Sequence, residues 1–214
     1  RRTPAPVDCL EFRDHLVYSG IGPWFTGYPF MNYVLIGGAT QAGAFHLALA
    51  EMSRSEIAVE PLPRLACMNG TGTVSLFLNA LPVDRGDLVV STDRAGLHQK
   101  DMHSTVYQGA RSLGIARAAG RFLPEQPARR VLKKIDHMHR KMEEWDLNPT
   151  WPEATELRLE CIRLASRTIE GAFITEGGKA QLAQHTLSRL LREHAFYTTT
   201  QLTNDLRIRV LDEV

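Results

Sequence analysis

Cysteine is scarce in this sequence: Cys9, Cys67 and Cys161 are scattered and odd in number. That argues against a disulfide framework or a thiolate zinc site and predicts a reducing, cytoplasmic setting. No apolar run reaches membrane-spanning length, and the opening RRTPAPVD has no signal-peptide core, so no membrane partner is expected. Charge of one sign is also missing. Lys plus Arg number 25 against 24 Asp plus Glu, a net charge of +1, which predicts no nucleic-acid partner. The histidines at 98, 103, 137 and 139 lack metal-ligand spacing, and His137 and His139, two residues apart on a helix, face different ways, so no metal is expected. There is no Gly-x-Ser-x-Gly to single out a nucleophilic serine. Asn69-Gly70-Thr71-Gly72-Thr73 is rich in glycine but lacks the lysine and helix of a phosphate loop, which favours a hairpin turn.

What is present is an ordinary globular composition in 214 residues, enough for a full core in one or two domains. Residues 1–8 read as a Pro-rich linker, and the chain as a fragment cut from a longer one. From 9 to about 95, short apolar or alternating runs (LEFRDHLVYSG, MNYVLIGGA, AFHLALAEM, LPRLACMNG, TVSLFLNALPV) predict five or more strands. Turns are expected at Gly37-Gly38, Asn69-Gly70 and Asp84-Arg85-Gly86. From 96 to 214 the apolar period changes to three and four, predicting helices near 97–122, 126–146, 151–176, 185–200 and 202–213. Thr150-Trp-Pro-Glu153 has the form of a capping box with proline in the first turn. The expected fold is α+β: a small antiparallel barrel or sandwich followed by a helical bundle.

Three stretches could carry chemistry. Trp24 and Thr26 follow a Gly-x-Gly-Pro corner and, two residues apart on a strand, share one side. They suit either plain barrel packing or one wall of a flat heterocycle, the hydroxyl donating to a ring nitrogen. Gly177-Gly178 closes a long helix, supplies a positive φ and leaves backbone N–H groups open to a ligand. Beyond it, the Arg189, Arg192, Glu193 face and the Thr198-Thr199-Thr200-Gln201 run are polar where packing would favour Leu or Ala. Arg129-Arg130 with Lys133-Lys134 forms a basic cluster, either a solvated face or a contact for an acidic cofactor tail.

Together these pieces resemble the second and third domains of the acyl-CoA dehydrogenase superfamily, over about residues 9–210. PWFTG at 23–27 matches the family's Trp-x-Thr segment that packs on the flavin of FAD. FLNALPVDRGDLV and GARSLGIARAA at 109–119 look like its β-strand loop and first bundle helix. Gly177-Gly178 and Arg192-Glu193, with thirteen residues between them, keep the spacing of the family's Gly-Gly and Arg-Asp-Ala. The resemblance implies an FAD-dependent oxidoreductase of acyl thioesters (CH–CH donors), an acyl-CoA substrate and a dimer or tetramer. FAD contacts are implied at Trp24, Thr26, Arg129, Arg130, Gly177, Gly178 and Thr203.

Departures accompany these matches. The position of the family's catalytic glutamate is Gln201, whose amide cannot accept the α-proton. The alternative position of that base, on the first bundle helix, is Ser104, beside His103. Lys133-Lys134 replace the family's Phe-Gly, Ile174 stands where a glutamine is usual, and the N-terminal helical domain has no counterpart. Two alternatives stay open: a non-catalytic or half-site subunit that works with a partner chain, and a flavin-dependent monooxygenase on the same scaffold.

Overall fold

The computed structural model describes residues 7–200 and 204–211. The chain divides into two compact units, one running to Gln99 and the other from Lys100.

The first unit is a sheet of seven strands: β1 (Val7–Glu11), β2 (His15–Phe25), β3 (Tyr33–Ala39), β4 (Phe45–Glu51), β5 (Ile57–Pro61), β6 (Val74–Asp84) and β7 (Leu88–Thr92). Their order is β5-β6-β2-β1-β3-β4-β7. Neighbours are antiparallel except β1 and β3, which meet in parallel at Asp8 and Ala39. Period-two alternation turns Leu16, Tyr18, Ile36, Ala48, Leu76 and Leu81 into one buried face. Each fully buried aliphatic side chain there stabilises the unit by about 2 kcal/mol.

Three local expectations need correction. LEFRDHLVYSG is two strands, because the chain turns at Arg13 and Asp14, where the Phe12 amide donates to the His15 carbonyl at 3.0 Å. Gly37-Gly38 is no turn; both lie inside β3, opposite Leu47 and His46. Their role is close packing, since a Cβ on Gly37 would strike the Phe45 ring and one on Gly38 would meet Tyr18 and Cys9. LPRLACMNG is not a strand. Residues 62–68 are irregular, flanked and interrupted by Pro61 and Pro63, which lack the N–H a ladder needs.

The helices are α1 (Arg94–Gly120), α2 (Glu125–Leu147), α3 (Trp151–Glu176), α4 (Thr186–Thr199) and α5 (Asn204–Leu211), with a 3-10 turn over Gly177–Gln181. Each lies within three residues of its expected bounds. At the α3 start Pro152 stands in the first turn, but the Thr150 hydroxyl donates to the Glu153 carboxylate at 2.8 Å instead of accepting a helix N–H. The box closes side chain to side chain. The core of the second unit joins Leu113 and Ala116 of α1, Ile135 of α2, Cys161 and Ala165 of α3, and Leu187 of α4. Small residues let the helices approach: a Cβ on Gly109 would lie 3.3 Å from the Cys161 Sγ and 3.4 Å from the Arg158 Cα. Burial pushes the thiols of Cys9 and Cys161 up, that of Cys161 to about 12, while Cys67 is half-buried in the irregular connection.

Candidate functional site

Trp24 lies near the end of β2, where Phe25 pairs with Val74 of β6. Phe25 turns inward, and both Trp24 and Thr26 are exposed, the indole at 66 %. Trp24 is therefore not part of the barrel core. The segment that carries it is held by a brace. The Gly27 amide donates to the Thr71 carbonyl at 2.8 Å and the Tyr28 amide to the Gly72 carbonyl at 3.1 Å. The Thr26 hydroxyl meets that of Thr73 at 3.2 Å, and Thr73 meets Thr71 at 2.9 Å. Thr71 in turn donates to the Met68 carbonyl at 2.7 Å.

This brace is what Asn69-Gly70-Thr71-Gly72-Thr73 does. It is a 3-10 turn locked by Asn69, whose side chain bonds both backbone groups of Leu65 at 2.8 and 2.9 Å. Gly72 is required there: its φ is +57°, and a Cβ would fall on the Tyr28 carbonyl oxygen. Sequence reading places Thr71 and Thr73 in a turn but does not join them to Thr26, because the Thr26–Thr73 link spans 47 residues and no local pattern announces it.

In the helical unit, Gly177 ends α3 with φ +65°, donating its N–H to the Phe173 carbonyl. Both glycines are exposed, and a Cβ on either would meet nothing within 4 Å. Their flanks are pinned. The Glu176 carboxylate accepts from Lys179 at 2.8 Å and faces the His185 Nε2 at 3.5 Å, and Lys179 above all holds its pKa below the usual range. The His185 Nδ1 caps α4 by accepting from the Leu187 amide at 3.2 Å. Ser188 donates to the Ala180 carbonyl at 2.7 Å, and Arg192 to the Ala183 carbonyl at 3.3 Å.

The polar run at the end of α4 has a structural explanation. Thr198, Thr199 and Thr200 each return their hydroxyl to a carbonyl one turn back, at 2.9, 3.1 and 2.8 Å. Arg158 of α3, fully buried, donates to the carbonyls of Tyr197, Thr198 and Thr200 at 3.3, 3.5 and 2.5 Å. It meets the partial negative charge of a helix C-terminus with a cation. Burial lowers its pKa to about 10, so it stays charged at neutral pH. Sequence reading missed Arg158, since an arginine in a helix gives no sign of pointing inward. Gln201 and Thr203 lie outside the described residues.

His103 of α1 stands beside α2, its Nδ1 3.6 Å from the Asp146 carboxylate and its ring 5.2 Å from Trp145, edge to face. Ser104 is half-buried on the same helix. Arg129 donates to Glu125 one turn before it, both exposed, and Arg130 is exposed. Such a surface pair contributes little to stability.

A serine and a histidine do meet in this unit: the His194 Nε2 lies 2.8 Å from the Ser166 Oγ. The Ser166 hydroxyl proton, however, is given to the Ile162 carbonyl at 3.0 Å. His194 therefore donates, its Nδ1 is buried without a partner, and the arrangement is packing and not an activated nucleophile. Among the described residues no group of His, Cys, Asp and Glu could hold a metal ion, and no helix is long and apolar enough to cross a membrane.

No protein-family model and no curated protein matches the chain. Solved structures do. The butyryl-CoA dehydrogenase of Megasphaera elsdenii superposes with a TM-score of 0.75 at 13% identity, over 95% of this chain and 61% of its own. A glutaryl-CoA dehydrogenase of Mycobacterium smegmatis in complex with FADH2 gives 0.69 at 11%, over 95% and 59%. FkbI, described as acting in biosynthesis of the methoxymalonyl extender unit of the Fk520 polyketide, gives 0.74 at 13%, over 100% and 67%. The chain thus spans about three fifths to two thirds of the length of these proteins, and over nearly its whole length it has the fold of the acyl-CoA dehydrogenases.

Proposed function

We propose that this chain is the β-unit and helical part of an acyl-CoA dehydrogenase-like flavoprotein that binds FAD against Trp24 and Thr26. The observation that carries the reading is the exposed indole beside a hydroxyl on a braced segment. A large aromatic left in solvent without a core role fits a flat ligand stacking on it. Thr26 would orient the ring through its hydroxyl, and the exposed backbone of Gly177 and Gly178 is a separate candidate contact for a cofactor tail, bound by this chain or by a neighbouring copy. A bound flavin would supply the hydride acceptor for two-electron oxidation of an acyl thioester. The chain's own part is to bind, orient and, in a working enzyme, remove the α-proton. Gln201 cannot do that last task, and His103 or Ser104 is the substitute to test. The family resemblance implies a dimer or tetramer, and a cytoplasmic location fits the few scattered cysteines.

A second reading is a half-site subunit that keeps the fold for assembly while a partner supplies the base. Gln201 favours it, as does Arg129, which is engaged by Glu125, with lysines following where Phe-Gly is expected. The deciding experiment is the visible spectrum of the purified protein before and after FAD loading and desalting. Retained flavin bands support the first reading, and Gln201→Glu should then create bleaching by acyl-CoA without oxygen. A protein that stays colourless overturns it in favour of the second.

A further inference from the structure

Helices α2 and α3 are joined by a three-residue link and lie antiparallel, leaving a groove of about 590 Å³ along their seam. Each helix contributes one stripe at the same spacing. On α2 the groove is lined by Lys134, His137 and Met138, with Lys141 next along the same stripe; on α3 it is lined by Glu160, Arg163, Leu164 and Arg167. Positions three, four and seven apart share a helix face, so these are facing stripes, and a pure packing seam would fill them with apolar residues. Only Met138 and Leu164 are apolar, and they form the floor.

The register is set at one end. Lys141 donates to both oxygens of Glu160 at 2.9 and 2.8 Å, which cancels the one acid of the groove. Seven residues back along α2 and seven forward along α3 stand Lys134 and Arg167. The antiparallel run places these two cations opposite each other. Both are exposed, and neither has an ion-pair partner among the described residues. Arg163, between them and the pair, already gives one nitrogen to Glu156 at 3.1 Å. Two facing cations over an apolar floor repel each other until an anion lies between them.

We propose that this groove binds a soluble phosphomonoester with a short apolar body. The phosphoryl group would lie between Lys134 and Arg167, with N–H donors from His137 and Arg163 in reach, and the body would cover Met138 and Leu164. The volume lies within the range of small-molecule sites. The proposal does not rest on the flavin-ring reading at Trp24 and Thr26; of its residues only Lys134 also belongs to the basic cluster weighed for a cofactor tail.

The test uses the full chain and hexyl phosphate at constant ionic strength, by titration calorimetry, with inorganic phosphate and hexanol as controls. Saturable one-to-one binding is expected, about tenfold tighter for hexyl phosphate than for inorganic phosphate because methylenes leave water. Lys134→Gln and Arg167→Gln should each weaken it at least tenfold. Without any anion Arg167→Gln should melt no lower than the parent, since it removes a repulsion; a lower Tm would mean that Arg167 makes a structural contact, and would overturn the proposal. Absence of binding, or binding indifferent to both substitutions, would do the same. So would loss of an oligomer in Arg167→Glu by sedimentation with no anion bound by the parent, which would make the groove an interface between copies.

Discussion

The two units handle polarity in opposite ways. The β unit has no Asp, Glu, Lys or Arg from Leu16 to Ala50, and it leaves Trp24, Phe30, Met31, Tyr33 and Leu35 exposed. The helical unit turns polar groups inward: Thr105, Gln108, Ser112, Thr155, Arg158, Thr168 and His194 are buried there, against His46 alone among the described residues of the β unit. A run of apolar surface left in water fits an occupant, whereas polar groups taken out of water need partners within the fold. The first unit therefore reads as a platform and the second as a frame.

The contrast can be broken at its strongest point by Arg158→Met. Three carbonyls at the end of α4 would lose their donor together, and we expect about 4 kcal/mol of lost stability in urea, with Arg158→Lys recovering part of it. Equal stability of parent and Met variant would make the inward polarity incidental. Gly72→Ala tests the brace under the platform. A methyl at positive φ that strikes the Tyr28 carbonyl should destabilise the β unit by about 2 kcal/mol, read from thermal unfolding.

A smaller effect is expected from acid. Burial lowers the His194 pKa, so the native state holds this ring neutral while the unfolded chain protonates it near pH 6.5. Stability is then flat above that value and falls as pH drops from it toward the depressed native pKa. His194→Gln should flatten this part of the profile, and an unchanged slope would assign it to other groups. Smallest is Trp24→Ala, expected within about 0.5 kcal/mol of the parent because the ring is exposed, yet with reduced FAD retention after desalting. A large stability loss with flavin content unchanged would turn Trp24 back into a packing residue.

Periodicity made the helices legible, since a stripe at three and four is a local signal that tertiary packing reinforces. The glycine that ends α3 was legible for the same reason: only the local backbone decides it. Gly37-Gly38 was misread because nothing local distinguishes a glycine that makes a turn from one that makes room for Phe45, Tyr18 and Cys9. Of the candidate site, Trp24 and Thr26 stood out in the chain, but the link from Thr26 to Thr73 and Thr71 did not, nor did Arg158. Their partners are far away in sequence, and long-range register is what a single chain conceals.

The cysteines have a practical consequence. Cys9 and Cys161 are shielded, with thiols held away from the reactive thiolate. Cys67 is the least buried of the three, in the connection that leads into the Asn69–Thr71 turn. The order of burial therefore predicts that a maleimide dye labels Cys67 ahead of the other two, a few residues in sequence from the turn that braces Thr26.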